Sequence, residues 1–282
     1  MPIEKADFDF VRDLVYRRSG IVLEPGKEYL VEARLTTVVR QEKLDSIPAL
    51  VAKLRSSVAS PLQTRVIEAM TTNETSWFRD IHPFEALKKV VLPELLAKRA
   101  ATRSLSIWCA ASSTGQEPYT IAMSLLDAIP RIDDWKISFV ATDISSEMVA
   151  KSKAGRYNQI EINRGLPATL LVKHFTKHGL EWEISQRLRS MIDFRELNLT
   201  MPLAGIPECD IVFMRNVLIY FDADTKKRIL ANVRRLLRPD GCLFLGSAET
   251  TMGLDDAYER VPIEKSGIYR PRAAGATLTK AA

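Results

Sequence analysis

The chain has 282 residues, 46% of them hydrophobic and 27% charged, the balance of a folded protein with one large or two ordinary domains. No apolar run approaches a membrane span, and the charged opening MPIEKADFDFVRD has no signal-peptide core, so neither membrane insertion nor secretion is expected. The net charge of +5 allows an acidic partner without calling for nucleic acid.

The first part reads as helices. DFDFVRDLVYRRSG sets Phe8, Val11 and Val15 on one face and ends at Gly20, a C-cap signal. EYLVEARLTTVVRQEKL carries Val31, Leu35 and Val38 at helical spacing. SPLQTRVIEAM opens with Ser60 as cap and Pro61 in the first turn. No strand signal precedes about residue 100, so residues 1–72 are predicted to form a helical domain. From there strands alternate with helices, which predicts a doubly wound, mostly parallel sheet over 73–270. The strands are SLSIWCAA, KISFVATDI, IDFRELNL, CDIVFMRNVLI and GCLFLGS. DTKKRILANVRRLLRPDG is an amphipathic helix closed by a Pro-Asp-Gly turn. A segment at about 170–196 breaks the rhythm and reads as an insert: a helix, then a two-stranded excursion around His178-Gly179. LEWEI and MIDFREL are its candidate strands, although MIDFREL also serves as a strand of the main sheet. PRAAGATLTKAA, 271–282, has no core-forming pattern and is expected to be disordered. Cys109, Cys209 and Cys242 each lie in an apolar run and read as buried, reduced thiols of a cytoplasmic protein.

WCAASSTGQEPYTIA (108–122) is a strand, a loop and the start of a helix, the usual cradle of a nucleotide-like ligand. Its loop has one glycine, Gly115, where a dinucleotide loop has three, so a close approach of pyrophosphate is not expected. That also disfavours a nicotinamide dehydrogenase. Asp143 ends the next strand, where a carboxylate suits a ribose diol; a plain helix N-cap is its other reading. S-adenosylmethionine meets both conditions, having a ribose and no phosphate. Glu117 is placed to meet its ammonium or to act as a first-turn dipole partner.

NETSWFRD (73–80), WCAASSTGQEPYTIAM (108–123), ATDIS (141–145), LNL (197–199) and RNVLIYFD (215–222) occur in an order and spacing that resemble the CheR-type chemotaxis-receptor methyltransferases, from about residue 5 to 270. The resemblance implies a class I S-adenosylmethionine-dependent methyltransferase with an N-terminal helical domain and a small inserted β-subdomain. The implied reaction esterifies glutamate side chains on receptor helices and releases S-adenosylhomocysteine. It implies cofactor contacts at Asn73, Thr75, Arg79, Glu117, Asp143, Asn198, Leu199, Arg215 and Asn216, with Arg79 and Tyr220 at the reacting groups. Phe221 reads as a core aromatic. A glutamate of pKa about 4.3 is already an anion at neutral pH, so no general base is required. This agrees with the lack of a G-x-S-x-G elbow or a Ser-His-Asp pattern.

The same resemblance makes the basic second helix a receptor-docking element, through Lys27, Arg34, Arg40 and Lys43, facing the acidic cytoplasmic helical bundle of the receptor. Some members of that family capture a C-terminal receptor pentapeptide on the inserted sheet. The short HGLEW connection here predicts an enzyme without that tether. His174 and His178 are four apart on an expected helix, a spacing that can bind zinc, but no third ligand is evident and no metal is expected. The competing readings are a methyltransferase for another acceptor and an S-adenosylmethionine-binding signalling module without catalysis.

Overall fold

The computed structural model describes residues 3–56, 60–263 and 265–272. The chain divides into two compact units, Met1–Thr72 with Tyr220–Thr225, and Asn73–Ile219 with Lys226–Ala282. The first unit holds α1 (Lys5–Ser19), α2 (Glu28–Gln41), α3 (Ile47–Ser56) and α4 (Pro61–Met70). In α1 the buried residues Phe8, Val11, Leu14 and Val15 recur every three or four positions, and Gly20 closes the helix at φ 74° with its amide on the Tyr16 carbonyl. Ser60 caps α4 by accepting from the Gln63 amide, and Pro61 occupies the first turn. α3 goes unassigned in the sequence reading, yet it buries Leu50, Val51 and Leu54.

The sequence expectation places the whole of 73–270 in one domain. Tyr220–Thr225 instead joins the helical unit, because the Val22 amide donates to the Tyr220 carbonyl (2.9 Å), Ile21 bridges Phe221, and Tyr16 Oη donates to Asp222 (2.6 Å). Phe221 is buried.

In the second unit α5 (His82–Ala86), a π-turn and α6 (Leu92–Lys98) precede β1 (Ser104–Ala110), α7 (Gln116–Ala128), β2 (Lys136–Asp143), α8 (Ser146–Ala154) and β3 (Arg156–Asn158). α9 (Gln159–Asn163), α10 (Ala168–His174), β4 (Phe175–His178), β5 (Glu181–Ile184), α11 (Gln186–Arg189), β6 (Asp193–Glu196) and β7 (Cys209–Met214) follow. The last elements are α12 (Ala223–Leu236), which begins in the first unit, then β8 (Leu237–Phe244), β9 (Tyr258–Arg260) and β10 (Ile268–Pro271). The main sheet has the order β6-β2-β1-β7-β8-β10-β9. The first five strands are parallel, while β10 and β9 add on antiparallel. The parallel strands are buried on both faces, with Phe213 stacked on Phe244 at 4.2 Å between ring centres.

Five sequence expectations are corrected. MIDFREL belongs to the main sheet: β6 pairs with β2, Phe194 opposite Ala141. The third strand of the small sheet is β3, which lies before the expected insert and pairs with β5. His178 is not helical, because α10 stops at His174 and the chain turns extended at Phe175, whose ring packs on Trp77 and Tyr157. The Pro-Asp-Gly sequence lies within β8, at an irregularity where the pairing jumps from Leu237 to Cys242, with Gly241 tight against the Cys209 and Asp210 carbonyls. Residues 271 and 272 of the expected disordered tail are ordered, since Pro271 ends β10 and the Arg272 amide bonds the Ala257 carbonyl; the rest of that expectation, 273–282, lies outside the described residues.

All three cysteines are free and buried. Burial pushes the Cys209 thiol up to about 12 and raises Cys109 and Cys242 as well. The native protein is therefore expected to consume no disulfide reagent at pH 8 and to expose every thiol in denaturant. Rapid labelling of one thiol in the native state would contradict this. No helix among the described residues is long and apolar enough to cross a membrane.

Candidate cofactor and acceptor site

The carboxyl ends of β1, β2 and β7 share one edge of the sheet, because these strands are parallel. The loop after β1 is held from behind. Ser152 Oγ donates to the Ser113 carbonyl (3.0 Å) and Tyr157 Oη to the Thr114 carbonyl (2.8 Å). Gly115 stands at φ 95°, and a Cβ there would fall 3.0 Å from both Ser152 Oγ and Tyr157 Oη. The single glycine thus serves the turn and its backing, not a ligand. The amides of Ser112, Ser113 and Gly115 are spent on Thr142 O, Asp143 Oδ2 and Ser112 O. Such a loop is not a pyrophosphate nest.

Asp143 is buried at the end of β2, where the Ser113 (2.8 Å) and Ser145 (3.0 Å) amides donate to its two oxygens and set the carboxylate's orientation. At the end of β6 the Leu197 amide bonds the Asp143 carbonyl (2.8 Å), which brings Asn198 and Leu199 to the same edge. Asn198 Oδ1 accepts from Thr200, and Leu199 is buried.

Arg215, 4% exposed, follows β7. Its guanidinium donates to Glu117 (2.5 Å), to Asp80 (2.7 Å) and to the Arg79 carbonyl (3.0 Å), so one cation joins the starts of α7 and α5. Cys109 Sγ donates to the other oxygen of Glu117 (3.4 Å). The NETSWFRD segment is pinned by Trp77, whose indole donates to the Glu161 carbonyl (3.0 Å) and whose ring meets Tyr157 and Phe175 edge-on. Phe78, Asp80 and Ile81 all take positive φ (48°, 66° and 38°), a conformation that bulky residues hold only under constraint. Arg79 donates to the Glu74 carbonyl (3.1 Å), the Asn73 carbonyl accepts from Ser113 Oγ (2.8 Å), and Thr75 is half-buried.

Glu249 goes unmarked in the sequence. This buried carboxylate accepts the amides of Asn216 (2.8 Å), Val217 (2.8 Å), Leu218 (2.7 Å) and Gly246 (2.7 Å). It fixes the turn that carries Asn216, itself at φ 59°. No motif marks it, since its partners are main-chain groups.

Two buried polar atoms near this edge, Ser112 Oγ and Arg215 Nε, have no protein partner, as expected beside a polar ligand. With the Asp143 carboxylate fixed at the end of β2 and three of the loop amides already bonded, the site's groups fit a ribose and an amino-acid group better than a diphosphate.

Residues 73–266 match the CheR methyltransferase, SAM binding domain, and residues 6–71 the CheR methyltransferase, all-alpha domain. The chain belongs to the CheR methyltransferase family. Among curated relatives, chemotaxis protein methyltransferase 1 of Pseudomonas aeruginosa is 40% identical over 277 residues, covering 96% of this chain and 100% of that protein. A chemotaxis protein methyltransferase of Pseudomonas putida is 40% identical over 271 residues, 94% of this chain and 98% of the relative. That of Vibrio anguillarum is 38% identical over 265 residues, with 93% and 95% covered. As a CheR methyltransferase, the protein is a class I enzyme that uses S-adenosylmethionine.

Tyr220 lies in the helical unit, as do the basic candidates. Lys27 is the residue before α2, not a member of its face, and pairs with Glu24 (3.0 Å). Arg34 donates to the Met70 carbonyl (2.6 Å) and Thr72 Oγ1 (3.0 Å), so it clamps the end of α4. Arg40 and Lys43 are exposed. His174 is buried, and burial lowers its pKa, while His178 is exposed on β4; among the described residues no three His, Cys, Asp or Glu side chains group to hold a metal ion.

Proposed function

We propose that this enzyme methylates glutamate side-chain carboxylates on the cytoplasmic helical bundle of chemotaxis receptors, giving glutamate methyl esters for sensory adaptation. What carries the reading is the family match along both parts of the chain. S-adenosylmethionine supplies the electrophilic methyl group. The acceptor carboxylate arrives as an anion, so the protein has to orient it and exclude water instead of removing a proton.

In this reading Asp143 takes the ribose hydroxyls and Glu117 the ammonium. Asn198 and Leu199 bracket the adenine, and Asn73, Thr75, Arg215 and Asn216 complete the cofactor set. Arg79 holds the incoming carboxylate and Tyr220 orients it. Docking falls to Lys27, Arg40 and Lys43, with Arg34 also needed to hold α4. The tight turn of the β4–β5 hairpin, Gly179 and Leu180, favours work without a peptide tether.

Incubation with labelled S-adenosylmethionine and receptor-containing membranes tests the reaction. The label should leave as methanol in alkali; alkali-stable label would refute a carboxyl ester. Asp143→Ala should weaken S-adenosylhomocysteine binding at least about tenfold, since each hydrogen bond to a charged acceptor is worth about 1.5–3 kcal/mol. Unchanged calorimetric affinity would remove Asp143 from the site. Arg40→Glu should raise the KM for receptor at low salt more than at high salt, with cofactor affinity retained. A loss equal at all salt concentrations would point to misfolding.

A further inference from the structure

A cavity of about 940 Å³ opens in the second unit beside the cofactor residues, lined in part by Phe78, Asp80, Glu249, Arg260, Lys265 and Tyr269. It lies at the same edge of the sheet as the cofactor loops. Glu249 follows the carboxyl end of β8, which is parallel to β7. β10 runs antiparallel to β8, so Lys265, just before it, is at that edge, and Arg260 ends β9 opposite Tyr269. In strand order the cofactor loops sit over β2, β1 and β7, and the cavity over β8, β10 and β9.

The charges in the cavity are unequal in availability. Asp80 is committed to Arg215 (2.7 Å) and Glu249 to its four amides. Arg260 and Lys265 are exposed, and among the described residues neither has an ion-pair partner. Two cations without an ion-pair partner among the described residues thus rim a space that adjoins Arg79 through Asp80 and Asn216 through Glu249. Because Asp80 and Glu249 are already engaged, the available charge favours a carboxylate-bearing ligand over a cationic one.

Building on the proposed function, we infer that this cavity seats acidic side chains flanking the methylated glutamate of the acceptor helix. Arg260 and Lys265 then determine specificity for acidic polypeptide segments. They act on acceptor binding and not on the methyl-transfer step.

The test compares the full-length enzyme with R260Q/K265Q on receptor-containing membranes at low and high salt. At low salt the double variant should raise the KM for receptor about tenfold, and kcat should change less than about twofold. Affinity for S-adenosylhomocysteine should stay as in the wild type, and the KM difference should shrink in high salt. R260K/K265R, which keeps both charges, should stay near wild type. An unchanged KM overturns the inference. So does a double variant that loses only inhibition by inorganic phosphate, which would assign the cavity to a free anion. If the wild type forms no alkali-labile ester, the proposed function itself fails. Normal ester formation with an indifferent double variant removes only the role of the cavity.

Discussion

Replacing Glu249 with glutamine is expected to remove most methyl transfer and to weaken S-adenosylhomocysteine binding at least about tenfold, while the fold persists. The carboxylate is 8% exposed and accepts four backbone amides, two at each oxygen. A carboxamide keeps one oxygen and makes the other position a donor, so two N–H groups would face an NH₂. At about 1.5–3 kcal/mol per bond to a charged acceptor, about 3–6 kcal/mol of local order is at stake.

That order holds Asn216 at φ 59°, a left-handed conformation that asparagine tolerates better than other non-glycine residues. The neighbouring Gly246 is equally constrained, because a Cβ there would fall 2.7 Å from Asn216 Nδ2 and 2.8 Å from Glu249 Oε2. Once released, Asn216 relaxes toward negative φ and carries the adjoining Arg215 with it. Calorimetry with S-adenosylhomocysteine and turnover on receptor membranes measure this effect, and circular dichroism reports the melting point. Glu249→Asp keeps the charge one methylene short and should recover part of the affinity. A glutamine variant that melts lower yet binds and turns over normally would reduce Glu249 to a general stabiliser.

The parts of this molecule legible in the sequence are those whose signal is local. The loop at 111–115 can be read because one glycine between a buried strand and an apolar-faced helix limits what it approaches. Asp143 can be singled out because it ends a strand at the carboxyl edge of the parallel sheet. Glu249 cannot, since three of its four partners lie 31 to 33 residues away and are main-chain amides. Arg34 reads as a surface cation because nothing near it in sequence announces the Met70 carbonyl. MIDFREL carries the same alternation whether it joins the large sheet or the small one, and only its pairing with β2 decides. β9 and β10 escape notice for a similar reason. Each is three or four residues long, and each is stabilised by its antiparallel neighbour more than by its own pattern.

At the opposite edge of the sheet, Arg99→Ala is expected to destabilise the second unit by about 3 kcal/mol without changing cofactor affinity. Arg99 follows α6 and binds Asp210 at 2.8 Å and both oxygens of Asp240 at 2.7 and 3.1 Å. Asp210, 2% exposed, also accepts the Ser106 amide of β1 (2.8 Å). Removing the cation leaves a buried carboxylate with less compensation, which usually costs about 3–5 kcal/mol. The low end applies because Arg238 still lies 3.4 Å from Asp210. The melting point should fall by about 6–12 °C. Acid should narrow the gap. Hydrogen bonds from Arg99 hold Asp240 below the usual carboxylate range. Stability from such a group is complete above its unfolded pKa of about 3.9 and is lost as pH falls through the lower folded value. Wild type and variant should therefore differ most above about pH 5, and the gap should begin to close as pH falls below about 4. Denaturant midpoints across that range decide the matter, because a gap that stayed constant into acid would mean the variant had lost packing and not an ion pair.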